Sequence, residues 1–353
     1  MRQSSDSILA QEKIIIPSTR LLRTTFLLAT LLLAGCEVKP ELEYTLVLTT
    51  PPEAEAGEAV RAAALSSDGL YAAFTLVDGS ASVWNVSQRK EIRNWPTEQF
   101  GGGAEFLEFT GGGKLLLMAG VDHSVEESEL SDGDMNYIMI WNIANGTTDR
   151  VWTMQGARLT AVSPSEDGSK IVAGFSNGLM IVFDDKTASR SDYALHTGNI
   201  TDIQISRDGR YALSGSVDGN AHYWSLANGE ILRTFTHRNR VTNVAANSDF
   251  SLGFTSDSLD SQRLWNLQTG DLVTSLQHQQ RWMYISNVHF SQAGDHLLVA
   301  SPSSAVSIWK TLDGSNVARW NSDLPVVDVA QSKPGNLVSV GSTGIVEVWK
   351  TKW

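Results

Sequence analysis

The chain has 353 residues, a formal net charge of −12 and one cysteine. One cysteine excludes an intramolecular disulfide, and the acidic balance disfavours bulk binding to phosphate backbones. Aromatic, apolar and charged fractions of 8%, 42% and 19% are those of a folded globular chain and argue against disorder.

At the N-terminus, Arg20 and Arg23 precede the apolar run Phe26-Leu27-Leu28-Ala29-Thr30-Leu31-Leu32-Leu33, which ends in Ala34-Gly35-Cys36. The run is too short to cross a bilayer as a helix but suits the apolar stretch of a signal peptide. Leu33-Ala34-Gly35-Cys36 resembles the lipobox of bacterial lipoproteins. That resemblance implies that residues 1–35 are a signal peptide and that Cys36 is lipidated and becomes the first mature residue. It also implies a lipid anchor in the membrane. Glu37 stands where an Asp would retain such a protein at the inner membrane, so the resemblance points to the outer membrane, facing the periplasm. The segment before the apolar run is long, about 20 residues with Ile14-Ile15-Ile16, which leaves open a start codon further downstream. Beyond residue 36 the chain carries 23 basic against 37 acidic side chains, a balance of −14. Residues 36–43 read as a short tether of at most roughly 25 Å, and 44–353 as one repeating domain.

Seven short alternating segments each close on an aromatic residue. The closings are Ser82-Val83-Trp84, Met139-Ile140-Trp141, Ile181-Val182-Phe183, His222-Tyr223-Trp224, Arg263-Leu264-Trp265, Ser307-Ile308-Trp309 and Glu347-Val348-Trp349. The intervals between aromatics are 57, 42, 41, 41, 44 and 40 residues, the period of a four-stranded propeller blade. The fourth repeat is clearest. Ile200-Thr201-Asp202-Ile203-Gln204-Ile205-Ser206 alternates as a half-buried strand does, and Arg207-Asp208-Gly209-Arg210 is a turn. Tyr211 to Ser216 is a second strand, Asp218-Gly219 a tight hairpin, and Asn220 to Trp224 a third strand. Glu230-Ile231-Leu232-Arg233-Thr234-Phe235 is the fourth. The predicted fold is all-β, a seven-bladed propeller. The seventh repeat ends at Lys350-Thr351-Lys352-Trp353 without a fourth strand, and Tyr44-Thr45-Leu46-Val47-Leu48-Thr49 is the natural replacement. Pairing it into the last blade would close the ring and remove an open seam.

These repeats resemble the WD40 family across the whole mature chain. In that family a His, a Ser or Thr, an Asp and the Trp form a hydrogen-bonded tetrad within a blade. The resemblance assigns this role to His196, Ser214, Asp218 and Trp224. Asp78 stands six residues before Trp84, as Asp218 does before Trp224, and His237 four before Val241, as His196 does before Ile200. Elsewhere the pattern decays. Blade three has Asn177 and Phe183 for Asp and Trp, and blades six and seven have Ser303 and Thr343 for Asp. Apolar packing is therefore expected to carry most blades.

Candidate chemistry is sparse. Gly174-Phe175-Ser176-Asn177-Gly178 matches a nucleophile elbow, but a strand follows where that motif needs a helix, so it reads as a hairpin. His196, His237 and His278 precede first strands and read as structural. The triplets Gly101-Gly102-Gly103 and Gly111-Gly112-Gly113 lack the strand-then-helix setting of a phosphate loop and read as turns. No coherent catalytic set emerges, no cofactor is expected, and the chain reads as a non-enzyme. The long interval of 57 residues holds an acidic insertion, Val121 to Asn136. Within it, Asp132, Asp134 and Asn136 alternate as in a calcium loop, without its glycine or its closing acid. Two blade-joining loops carry Arg238, Arg240, Arg281, Trp282 and Tyr284, residue types that dominate protein interfaces. The reading is a monomeric protein–protein interaction platform of the cell envelope, its partner an envelope protein. The alternatives are a ligand or metal sensor using the insertion, or a propeller hydrolase.

Overall fold

In the computed structural model, the described residues are 40–47, 60–77, 79–96, 104–122, 134–259, 261–276, 284–323, 325–333 and 335–351. They form seven antiparallel four-stranded sheets. Blade one is Val60–Leu65, Tyr71–Leu76, Ala81–Asn85 and Lys90–Trp95; blade two is Phe106–Thr110, Leu115–Val121, Asp134–Asn142 and Thr147–Gly156. Blade three is Leu159–Pro164, Lys170–Phe175, Leu179–Asp184 and Ser189–Ala194; blade four is Ile200–Ile205, Tyr211–Ser216, Asn220–Ser225 and Ile231–Thr236. Blade five is Val241–Ala246, Leu252–Asp257, Gln262–Asn266 and Leu272–Ser275; blade six is Asn287–Phe290, His296–Ala300, Ala305–Lys310 and Asn316–Asn321. Blade seven takes Val326–Lys333, Asn336–Gly341 and Ile345–Lys350 from the end of the chain and Glu41–Val47 from its beginning.

First strands of successive blades pack on one another around a common axis, and blade seven packs on blade one. The ring is thus closed by the N-terminal strand, Thr45 lying opposite Glu347 and Val47 opposite Ile345. This strand starts at Glu41, three residues before the apolar pattern begins, with a register shift between Leu42 and Tyr44. Glu43 pairs with Lys350 at 3.2 Å, so a residue that reads as tether serves the sheet. Cys36 and the residues before it lie outside the described residues.

Seven apolar clusters fill the seven blade–blade interfaces. Side chains of one strand go alternately to the two neighbouring interfaces. In Leu179–Asp184, Ile181 and Phe183 pack toward blade two, while Met180 and Val182 pack toward blade four. Both faces of a blade are covered, so its middle strands are apolar throughout. The periodic closing aromatic has one common duty: each of the seven packs against the blade before its own. Phe183 does so against Ile140 and Leu117, Trp224 against Met180 and Val182, and Trp349 against Val306 and Ile308. That duty explains why Phe183 can replace a tryptophan: the packing needs a large flat side chain more than it needs an indole N–H.

Removing the closing strand would expose the unpaired edge of Ile345–Lys350. A chain lacking residues 41–47 is expected to melt about 10 °C lower, several kcal/mol at this size, and to self-associate. Thermal unfolding with light scattering checks this; an unchanged transition and a monodisperse sample would contradict it.

Candidate functional site

Hairpins between second and third strands share one face of the ring with the loops that join blades. In blade four the chain enters through His196, which is buried. Its Nδ1 lies 3.0 Å from Asp218 Oδ2 and its Nε2 3.0 Å from Ser214 Oγ. Asp218 also accepts the Thr197 and Asn220 N–H groups at 3.0 and 2.9 Å, which fixes the hairpin to the entering loop. Trp224 does not join: its indole N–H is buried and has no hydrogen-bond partner among the described residues. The expected tetrad is a triad: Ser214 pairs with His196, while the ring of Trp224 is packed against blade three.

A complete tetrad stands in blade five instead. Trp265 donates to Thr255 Oγ1 at 2.8 Å, Thr255 lies 2.8 Å from His237 Nε2, and His237 Nδ1 lies 3.3 Å from Asp257. The chain of donors fits a neutral imidazole with its proton on Nδ1. Burial lowers the pKa of His196 and of His237. Burial and the charge of His196 hold His222, stacked on His196 at 4.3 Å, down at about 4. These histidines are therefore neutral structural groups.

In the acidic insertion, Asp132 lies outside the described residues. Asp134 opens the third strand of blade two, and Asn136 is fully buried within it. Asn136 Oδ1 accepts the Leu159 N–H at 2.8 Å, and its amide N–H donates to the Ala157 carbonyl at 3.0 Å. The oxygen that a calcium loop would need from Asn136 is thus committed to holding the chain as it crosses to blade three. No group of three His, Cys, Asp or Glu residues able to hold a metal ion occurs among the described residues. Ser176 sits in an exposed hairpin between two strands, the geometry of a turn.

Arg238 and Arg240 are exposed on the hairpin face. Neither makes an ion pair among the described residues. The hairpins on either side touch their loop: the His237 N–H donates to the Gly219 carbonyl at 2.8 Å, and the Ser258 N–H to the Arg240 carbonyl at 3.1 Å. Gly219 has φ +87°, which a side chain would strain, and a Cβ there would crowd the His237 carbonyl. Val217 and Leu259, at the tips of those hairpins, are 40% and 53% exposed. Tyr284, 63% exposed, lies on the same face after the next blade. Arg281 and Trp282 lie outside the described residues.

The axis of the ring holds what sequence reading missed. A cavity of about 290 Å³ is lined by the first strands of the blades. Ala64, Glu108, Ser163, Gln204, Ala245, His289 and Ala330 occupy the same register position in blades one to seven. Asp202 and Asp328 stand two residues before that position. Asp202 Oδ2 accepts the Val244 N–H at 2.8 Å, and Gln204 Oε1 accepts the Ala246 N–H at 2.6 Å. Asp328 accepts the Leu65 N–H at 2.9 Å and lies 2.8 Å from His289 Nε2. Channel side chains thus cap the axis-facing edge of the next blade. His289 keeps 44% of its side chain open to the channel, although it lies deep in the ring.

Burial, reinforced by the charges of Asp202 and Asp328, raises the Glu108 carboxyl well above the usual carboxylate range. Burial likewise pushes Asp202 up to about 7, against the pull of the Val244 and Ile203 N–H groups. For His289 burial acts downward, but the Asp328 charge and hydrogen bond, with Asp202, outweigh it and raise the pKa. Titratable groups therefore converge on the axis, a grouping that the sequence did not display. Ser286, three residues before His289, donates its Oγ–H to the Val326 carbonyl.

The WD40 repeat profile, described as WD domain, G-beta repeat, matches residues 189–225, from the fourth strand of blade three through the third of blade four. Human Angio-associated migratory cell protein is 26% identical over 184 residues, covering 50% of this chain and 38% of that protein. COMPASS component SWD3 of Saccharomyces cerevisiae is 26% identical over 139 residues, covering 36% and 40% respectively. Eukaryotic translation initiation factor 3 subunit I of Neosartorya fischeri is 27% identical over 166 residues, covering 45% and 48%. The chain spans less than half the length of these curated relatives. Repeat match and relatives together support a propeller of the WD40 type, a class whose members are in general non-catalytic scaffolds for protein contacts.

Two predictions follow from these geometries. Thr255→Val strands both the Trp265 N–H and His237 Nε2, whereas Ser214→Ala strands only His196 Nε2. Urea unfolding should show a cost of about 2–3 kcal/mol for the first and about 1–2 for the second; equal costs would contradict the assignment. For Asp202 the folded pKa lies above the unfolded one, so its contribution to stability falls as pH rises from about 4 to 7. Asp202→Asn should gain about 1–2 kcal/mol relative to the parent on going from pH 5 to pH 8. A pH-independent difference would show that this carboxyl does not titrate in that window.

Proposed function

We propose that the protein is a non-catalytic protein-interaction platform of the bacterial cell envelope. Its propeller is held by a lipid on Cys36 at the periplasmic side of the outer membrane. One observation carries the binding reading: Arg238 and Arg240 stand exposed, without ion-pair partners among the described residues, between the apolar tips Val217 and Leu259, on a chain that is otherwise strongly acidic. Unpaired arginines beside exposed apolar side chains form the usual centre of a protein interface. Tyr284 extends the patch, and Arg281 and Trp282 are neighbours in sequence. The envelope location rests on the signal-peptide pattern and on Leu33-Ala34-Gly35-Cys36.

A photo-crosslinking residue placed at 284 or 238 in intact cells should capture a small, reproducible set of envelope proteins. The same probe at Leu312, 83% exposed on the opposite face, should not. Arg238→Glu with Arg240→Glu should weaken the captured contact at least tenfold. Equal capture from both faces, or none from the hairpin face, would reject this site. Cys36→Ser should release the protein from the membrane fraction, and retention there would reject the anchor.

A further inference from the structure

We propose that the central channel binds a small organic cation, an alkylammonium or guanidinium group on an apolar stem, with the Glu108 carboxylate as its principal contact and Asp202 as its second. This site is separate from the proposed hairpin-face interface.

The carboxylates of the channel differ in what they already do. Asp328 accepts two backbone N–H groups and faces His289. Asp202 accepts two backbone N–H groups. Glu108 has only the Ser163 hydroxyl, at 3.5 Å, and its second oxygen has no partner among the described residues. Glu108 is half-buried, so its free oxygen is open to the channel, and a carboxyl held there with so little to bond is available to a ligand. Glu108 points into the cavity it lines.

The surroundings favour a cation with a stem. Four carboxyls line the channel, Glu108, Glu166, Asp202 and Asp328, against His289 and Arg207; His289 is engaged by Asp328, and Arg207 lies 3.9 Å from Glu166. Glu108, Ser163 and Gln204 follow one another on blades two to four, supplying acceptors on one side. Ala330 and Ala64, at the same register on blades seven and one, leave room beside the channel there. Methylene groups can lie against these small apolar side chains while a head group with several N–H donors reaches the carboxylates. A bare metal ion does not suit the site, because its carboxylates do not gather into a compact ligand set. Burial and the charges of Asp202 and Asp328 favour protonated Glu108, so a cation settling beside it expels the proton. The head group can come from a free diamine or from a lysine side chain of a bound protein, since the chemistry is the same.

Isothermal titration of the full mature protein with 1,4-diaminobutane and with N-acetyl-lysine amide tests this. The expected result is one-to-one binding of one or both, with proton release visible as a dependence of the heat on the buffer. Binding of the diamine alone assigns a free ligand, and binding of the lysine amide alone assigns a partner's side chain. Glu108→Gln should weaken binding at least tenfold and remove the proton release, and Asp202→Asn should weaken it about threefold or more. Ala64→Leu, which narrows the channel without touching a charge, should abolish binding, and it serves if Glu108→Gln does not fold. Arg238→Glu with Arg240→Glu should leave amine binding unchanged, so failure here is distinguishable from failure of the hairpin-face reading. No heat with either probe at about 10 mM, or parental affinity in both Glu108→Gln and Ala64→Leu, would overturn the proposal.

Discussion

Each blade of this propeller ends, at the axis, in a strand with no further strand to pair with. Seven rows of backbone N–H and C=O groups would otherwise be left without strand partners at the axis, and unmet backbone groups inside a protein are expensive. Part of the answer is to let side chains of one blade cap the next. Asp202 and Gln204 of blade four cap Val244 and Ala246 of blade five, and Asp328 of blade seven caps Leu65 of blade one. These bonds join blades as the apolar interfaces do, but they are directional and fix the rotation of one blade against the next.

The same requirement gives the channel its chemistry. An edge N–H needs an acceptor, and where the acceptor is a carboxylate the cap brings a charge to the axis. Asp202 therefore performs a structural task and pays for it with a pKa of about 7. Glu108 has no comparable duty, since its nearest partner is a hydroxyl at the outer limit of hydrogen bonding. Structural caps and surplus carboxyl stand in one channel, and only the surplus one is left without a role in the fold.

Much of this architecture was legible in the residues, and the reasons are specific. The aromatic closings repeat because each packs against the preceding blade, a need that recurs at every interface. The N-terminal closure was legible because blade seven lacks a fourth strand. Its first three residues were not, because Glu41 and Glu43 read as polar tether while Glu43 serves Lys350 across the sheet. The tetrad of blade five escaped because its hairpin is longer: Asp257 stands eight residues before Trp265, against six from Asp218 to Trp224. Asn136 reads as loop chemistry in the sequence because strand pairing, which carries the third strand of blade two back to Asp134, is not visible in a polar stretch. The channel set was least legible. Glu108 in Phe106-Leu107-Glu108-Phe109 looks like the solvent side of an alternating strand, and only the ring turns that side inward.

Trp224 and Trp265 show how packing and hydrogen bonding divide the work. Trp265 is half-buried and joins its N–H to Thr255, whereas Trp224 is wholly buried and its N–H has no partner among the described residues. An unpartnered buried donor costs about 1–3 kcal/mol, yet burying an indole of that size against blade three contributes at least as much. The ranking follows: at this position area decides and the polar bond is dispensable. Phe183, which has no N–H to satisfy, is the same solution carried one step further in blade three. Apolar interfaces that tolerate such drift hold the ring together while the residues on its axis and hairpin face remain free to change. Among the described residues those two places carry groups that the fold leaves available, the Glu108 carboxyl on the axis and Arg238 and Arg240 at the rim.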